Sequence, residues 1–391
     1  MPPASPDPQV ARTRQRLREA MPIAPKWAYF DHSAVAPLSG PAAKRLADWA
    51  AEAAAEGDTR WPDWDREVGR TREAAAGLID ASPDEIALVP STTAGITLVA
   101  EGLDWREGDN VVLLADEFPS NLFPWMHQAS RGVEVRRVPT DFGRIDYDAL
   151  RQACDRRTRV VSLSWVGYAN GYRQDLDRLA QIIREAGALF FVDAIQGLGV
   201  FPLSVRETPI DFLAADGHKW MLGPEGAGVA YIRREHLERL RPIGIGWNSV
   251  ENAADFGKSE LRLKPTAARY EGGSANAAGM LALGESLRLL TAQPTADVAA
   301  ALLDITDYLC HRLEGVGLRV ASRREAEPDG HDPRSGIVAA EVAEPVTVRR
   351  RLLDAGVVTS VRGGRLRMAP HAYTSYEDVD RLIDALDRTR G

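Results

Sequence analysis

Between residues 86 and 216 short apolar runs alternate with helical patterns, and that alternation limits the chain to few folds. The runs are IALV (86–89), NVVLLA (110–115), VEVRRV (133–138), RVVSLSW (159–165), ALFFVDA (188–194) and DFLAAD (211–216). Helical segments stand between most of them, for example DLDRLAQIIREAG (175–187), whose apolar residues recur at three and four. Strands alternating with helices predict an α/β domain built on a mainly parallel sheet. At 391 residues the chain exceeds one ordinary core, so a second unit is expected. The pattern changes after about residue 280, where short strands (318–322, 336–342, 356–361, 365–370) and two helices predict a small α+β domain. The last helix opens at Ser375 with an acidic first turn. The expected division is an N-terminal arm and helix over 1–25 packed on the small domain, a large α/β domain over 26–280 and a small domain over 281–391. The arm begins as a proline-rich flexible tip, and the polar stretch RREAEPDGHDPRS (323–335) predicts a mobile surface loop.

Composition removes several classes of function. A formal net charge of −8 argues against nucleic acid as the main partner, because phosphate binding needs a basic surface. No apolar run reaches membrane-spanning length and the N-terminus has no apolar signal core, which predicts a cytoplasmic protein without a membrane partner. Cys154 and Cys310, both in helical patterns, read as core fillers rather than a disulfide framework. Neither belongs to a Cys-x-x-Cys pair and no His-Glu-x-x-His occurs, so no metal site is expected.

Four features carry chemistry. In DFLAADGHKWMLGPEGAGVAYI (211–232), Lys219 sits between two apolar runs, flanked by His218 and Trp220. A lysine near a strand end is usually a solvated charge. Packed between an imidazole and an indole, it is partly desolvated, and its amine becomes a nucleophile. In STTAGITLVAEGL (91–103), Ser-Thr-Thr at a strand-to-helix junction is a plain helix cap or an anion site, with Gly95 letting the backbone approach a ligand. In FFVDAIQGLGV (190–200), Asp193 ends a buried strand where α/β sheets place their ligand crevices, or else caps a helix; Gln196 follows one turn later. In RLRMAPHAYTS (365–375), Arg367 either snorkels to solvent or faces the crevice and clamps a carboxylate. One ligand uses all four: an aldehyde for Lys219, a phosphate for the helix, a pyridine nitrogen for Asp193 and an amino acid for Arg367. Pyridoxal 5′-phosphate has those groups.

Over roughly residues 26–390 the order and spacing of these motifs resemble the class V aminotransferase family of fold type I pyridoxal-phosphate enzymes. That family includes cysteine desulfurases, selenocysteine lyases, kynureninases and isopenicillin N epimerases. The resemblance implies a large domain with a mainly parallel, seven-stranded-type sheet and a small C-terminal α+β domain. YFDHSAVAPLS (29–39) resembles the family's N-terminal active-site segment. STTAGITLVA points to Thr92 and Thr93 for the phosphate. VDAIQG implies Asp193 at the pyridine nitrogen and Gln196 near the phenolic oxygen, and DGHKW makes Lys219 the Schiff-base lysine with His218 a cofactor neighbour. YEGGSANAAGMLALG (270–284) implies that Ser274 reaches the partner subunit's phosphate in a homodimer, and LRMAPHAYTSYEDVDRL selects Arg367 for the substrate carboxylate.

The departures from the family pattern bear on the reaction. GVVTSVRGGRLR (356–367) is short and lacks the cysteine that desulfurases carry before this arginine. EFPSNLFPW (117–125) offers Phe118 where many relatives stack a histidine on the ring, and Tyr168 stands in for the family's asparagine at the phenolic oxygen. Asp216 occupies a position where relatives often place a phosphate-binding Ser or Thr; it either turns away or pairs with a base. Trp247, Asn248 and Phe123 are candidates for the substrate pocket, or else packing residues. Together these favour a C–S lyase that performs β-elimination on a cysteine-type amino acid without a persulfide cysteine. Epimerase, aminotransferase, kynureninase-like hydrolase and non-catalytic cofactor-binding protein remain open. The last would have no need of Lys219, Asp193 and Arg367 together.

Overall fold

The structure, a computed structural model, describes residues 7–257 and 260–390; residues 1–6, the expected flexible tip, lie outside the described residues. Seven strands form the main sheet: β1 (Ile86–Val89), β2 (Asn110–Leu114), β3 (Glu134–Val138), β4 (Thr158–Ser164), β5 (Leu189–Asp193), β6 (Phe212–Asp216) and β7 (Gly228–Ile232). Their order is β1-β7-β6-β5-β4-β2-β3. All neighbours run parallel except β7, which is antiparallel to both β6 and β1. A sheet covered on both faces buries its strands, and β1, β2, β6 and β7, buried at every position, accordingly read as mainly apolar runs. Alternation survives in where the side chains go. Phe190, Leu213 and Ala215 join one buried layer, while Phe191, Phe212 and Ala214 join the other. The edge strand β3 instead carries Glu134, Arg136 and Arg137, charges that discourage pairing with another chain.

Helix Thr92–Gly102 leaves β1 with Ser91 as its cap, the Ser91 Oγ accepting from the amide of Ala94 at 3.1 Å. Gly95 sits on its buried side, where a Cβ would stand 2.6 Å from the Cβ of Ala214 and 3.3 Å from that of Ala230. The glycine therefore lets the helix lie against β6 and β7. Its role is packing on the sheet, where the sequence reading had given it to ligand approach.

A second sheet of four antiparallel strands, β8 (Arg319–Val320), β9 (Val338–Glu341), β10 (Ser360–Arg362) and β11 (Arg365–Met368), has the order β8-β9-β11-β10. The helices Pro345–Asp354 and Tyr376–Arg390 belong to the same stretch of chain. Ser375 and Asp378 cap the latter reciprocally, each side chain accepting from the other's amide. Helix Pro8–Glu19 lies on helix Thr295–Gly315, joined by Arg14 to Asp304 at 2.6 Å and by Gln9 to Asp297 at 2.8 Å. The polar stretch 323–335 is tied down at several points. Arg173 donates to the carbonyls of Asp332 and Arg334, and Arg324 and Arg334 both pair with Asp307. Polarity alone suggested a mobile loop; the ion pairs that hold it involve partners far away in sequence. No helix among the described residues is long and apolar enough to cross a membrane.

Candidate active site

The carboxyl ends of β5 and β6, the start of helix Thr92–Gly102 and the β10–β11 hairpin meet around a cleft of about 330 Å³. Position follows from topology, since strand ends and helix starts gather on one edge of a parallel sheet. Lys219 follows β6 in the turn that leads to β7 and is 9% exposed. Its Nζ has neither a hydrogen bond nor an ion pair among the described residues and lies 5.7 Å from the centre of the Phe118 ring. Burial pulls its pKa down to about 8, with Asp193 opposing the shift and Arg367 adding to it.

Asp193 closes β5, and its Oδ1 accepts from the amide of Ile195 at 3.1 Å. Burial raises its carboxyl to about 6 against the opposing effects of that amide and of Lys219. The second oxygen has no hydrogen-bond partner among the described residues. Gln196, one turn on, lines the cleft, but its side chain is largely engaged: Nε2 donates to the Ser33 carbonyl at 3.0 Å and Oε1 accepts from Trp220 at 2.8 Å.

At the helix start the amides of Thr92 and Thr93 have no acceptor among the described residues. Thr92 Oγ1 accepts from the Asp216 amide at 2.9 Å, and Thr93 Oγ1 bonds Ser120 Oγ at 2.9 Å. Asp216 places Oδ2 3.0 Å from His218 Nδ1, so the acid beside the free helix-start amides faces a base, although that nitrogen makes no hydrogen bond among the described residues. Its other oxygen, Oδ1, is buried without a partner. Phe118 and Tyr168 meet edge to face with ring centres 5.2 Å apart, and both line the cleft.

Arg367 is 1% exposed, and all three of its nitrogens are engaged. Nε donates to Ser360 Oγ at 3.0 Å, Nη1 to the Tyr168 carbonyl at 2.7 Å and Nη2 to Asp31 at 3.2 Å. A guanidinium has five N–H donors, so one remains on each terminal nitrogen, which suits a carboxylate approached end-on.

Lys219, Thr92, Thr93, Phe118, Tyr168, Asp193, Gln196, His218 and Arg367 thus share one cleft. Other residues named from sequence do not line it. Ser274 is exposed; Trp247 lines a separate surface pocket with Phe256; Asn248 accepts from Lys264 at 2.9 Å; and Phe123 is largely exposed. Sequence reasoning missed Asp31, Ser33 and Arg362, and also Glu117. Burial raises the Glu117 carboxyl to about 8 although it accepts two hydrogen bonds from Ser164. Asp31 and Ser33 lie in the quoted segment 29–39, yet nothing local shows which of its residues face inward.

The cleft matches the groups of pyridoxal 5′-phosphate. An unpartnered, partly desolvated amine suits the aldehyde, free helix-start amides suit the phosphate, and a buried acid with a spare oxygen suits the ring nitrogen.

Comparison with known proteins agrees. A model of the family described as aminotransferase class-V matches residues 28–382. A probable cysteine desulfurase of Methanothermobacter thermautotrophicus is 33% identical over 345 residues, covering 83% of this chain and 84% of the relative. An isopenicillin N epimerase of Streptomyces clavuligerus is 29% identical over 341 residues, covering 82% and 84%. Among solved structures, a cystine C-S lyase in complex with its reaction product cysteine persulfide superposes with a TM-score of 0.85 at 21% identity, covering 92% of this chain and 97% of that one.

Proposed function

The chain belongs to the aminotransferase class-V family, and from that premise we propose that it is a pyridoxal 5′-phosphate enzyme cleaving the C–S bond of a cysteine-type amino acid by β-elimination. The observation that carries the reading is Lys219, a buried amine without a hydrogen bond or ion pair among the described residues, sharing with Asp193 and Arg367 a cleft that no cysteine lines. Cys154 and Cys310 lie elsewhere, and burial pushes both thiols up to about 11, so neither is a thiolate at neutral pH.

The amides of Thr92 and Thr93, with His218, would hold the phosphate. Phe118 would cover the ring, Asp193 would bond its nitrogen, and Tyr168 and Gln196 would serve its phenolic side. When bound, the cofactor supplies an electron sink for charge left at the amino acid's α-carbon. Arg367 binds the substrate carboxylate through its two remaining N–H groups. Lys219 removes the α-proton; that electron pair forms the Cα–Cβ double bond as the Cβ–S bond breaks, and the sulfur departs with its electrons. Hydrolysis of the remainder yields pyruvate and ammonia.

A second reading, epimerisation, is favoured by the Streptomyces clavuligerus relative and by Tyr168, which lines the cleft and whose hydroxyl makes no hydrogen bond among the described residues. The same proposal includes a cytoplasmic homodimer, with Ser274 of each copy serving the neighbour's phosphate, and a division of the chain near residue 280. The exposure of Ser274, Trp247, Phe256 and Leu261 supports the dimer.

Incubating the loaded protein with L-cysteine or L-cystine tests the reaction. Pyruvate and ammonia are expected in equal amounts, with no persulfide left on the protein. Alanine in place of pyruvate would contradict elimination, and a D-amino acid without pyruvate would establish the second reading.

Uptake of the cofactor by the empty protein gives a pH test. The neutral amine is the nucleophile, and its fraction grows as pH rises toward the Lys219 pKa of about 8. The uptake rate should therefore climb roughly tenfold per pH unit well below that value and level off above it. Rapid-mixing absorbance measures this; a plateau delayed to an ordinary lysine pKa would show that Lys219 is not desolvated.

A further inference from the structure

Three arginines stand within the β10–β11 hairpin, and they differ in what holds them. Gly363 and Gly364, both left-handed at φ 54° and 73°, make the two-residue turn that sets Arg362 opposite Arg365 and Ser360 opposite Arg367. Arg367 is committed to Ser360, Tyr168 and Asp31. Arg365 lies over the Phe142 ring at 4.8 Å and approaches Glu341 at 3.9 Å. Arg362 is half-buried in the wall of the cleft, and its side chain's only hydrogen bond among the described residues is to the neighbouring Val361 carbonyl at 2.8 Å. It has no ion-pair partner among them.

A half-buried guanidinium beside another guanidinium and an amine is unfavourable unless an anion arrives. The resident acids have other attachments: Asp216 faces His218, Asp31 holds Arg367, and Asp193 lies at the strand end assigned to the ring nitrogen. The charge of Arg362 acts on Lys219 and Arg367, lowering the proton affinity of both. One N–H of Arg362 is used on Val361, which leaves four of five for a bidentate contact.

We propose that Arg362 forms a subsite for a second, distal carboxylate on the substrate, so that the enzyme takes α-amino acids whose side chain ends in an acid. This rests on the reading of the cleft as an amino-acid site, in which Arg367 takes the α-carboxylate. For the elimination above, the class is an S-substituted cysteine whose S-substituent carries a carboxylate.

L-Glutamate and L-glutamine, near-isosteres differing in the distal acid, test the subsite by calorimetric titration of the loaded protein. Neither contains sulfur, so the result stands whether or not elimination is the reaction. The wild type should bind glutamate more tightly than glutamine by roughly tenfold or more. Arg362→Gln should bring that ratio to about one, and Arg362→Lys should keep part of it, since charge persists without the planar fork. A wild type indifferent to the distal acid, an R362Q protein that keeps the preference, or one that instead loses its cofactor would each overturn the subsite. Binding of neither amino acid would contradict the amino-acid reading itself and this inference with it.

Discussion

Lys219→Ala is expected to lower turnover by roughly 10³-fold or more, because nucleophile and base are lost together. The fold should tolerate the change. The Lys219 side chain makes no hydrogen bond or ion pair among the described residues, and its burial as a cation is unfavourable, as the depressed pKa shows. The variant should therefore retain the wild-type melting temperature within a few degrees. It should still bind the cofactor reversibly, through the Thr92 and Thr93 amides and Asp193, but with the absorption of the free aldehyde. The change also reaches Asp193. Lys219 helps to hold that carboxyl down, so its pKa should rise above the wild-type value of about 6. A variant with wild-type absorption and turnover would show that the amine is supplied elsewhere.

Asp193→Asn keeps the shape of the side chain and removes its charge. In the proposed mechanism the carboxylate would hold a proton on the ring nitrogen, a charge–charge interaction inside a buried site where water cannot replace it. The rate of α-proton exchange in heavy water should fall by roughly 10²-fold or more, with most of the loss in kcat rather than KM. Cofactor content should change little, because the phosphate contacts and Lys219 are untouched. Removal of the acid also takes away the attraction that keeps Lys219 protonated, so the pH midpoint for cofactor uptake should move below about 8. Exchange within threefold of wild type would exclude Asp193 from the ring nitrogen.

Legibility in the sequence depended on distance along the chain. Strands buried on both faces, such as Ile86–Val89 and Phe212–Asp216, are written as continuous apolar runs and needed no partner to be recognised. The chemical motifs were legible for the same reason: Ser91-Thr92-Thr93, Asp193 with Gln196, and His218-Lys219 are each contained within a few residues. What escaped was set by pairing at long range. Asp31 and Arg367 are 336 residues apart, and no local pattern in either segment names the other. Arg362 looks like any surface arginine beside a Gly-Gly turn until the hairpin sets it in the cleft wall. Gly95 shows the converse case, a motif residue whose position was noticed but whose neighbours, Ala214 and Ala230, belong to strands far along the chain. The surroundings of Trp247 and Asn248 were equally invisible: residue type marked them as pocket candidates, while the fold sets Trp247 in a separate surface pocket and engages Asn248 with Lys264.

The most direct measurement is to load the protein with pyridoxal 5′-phosphate, reduce it with borohydride and map the peptide that carries the added mass. The account expects the modification on Lys219, near full occupancy, and none on Lys219→Ala. Modification of Lys26, Lys44, Lys258 or Lys264 instead, or of no lysine at all, would contradict it.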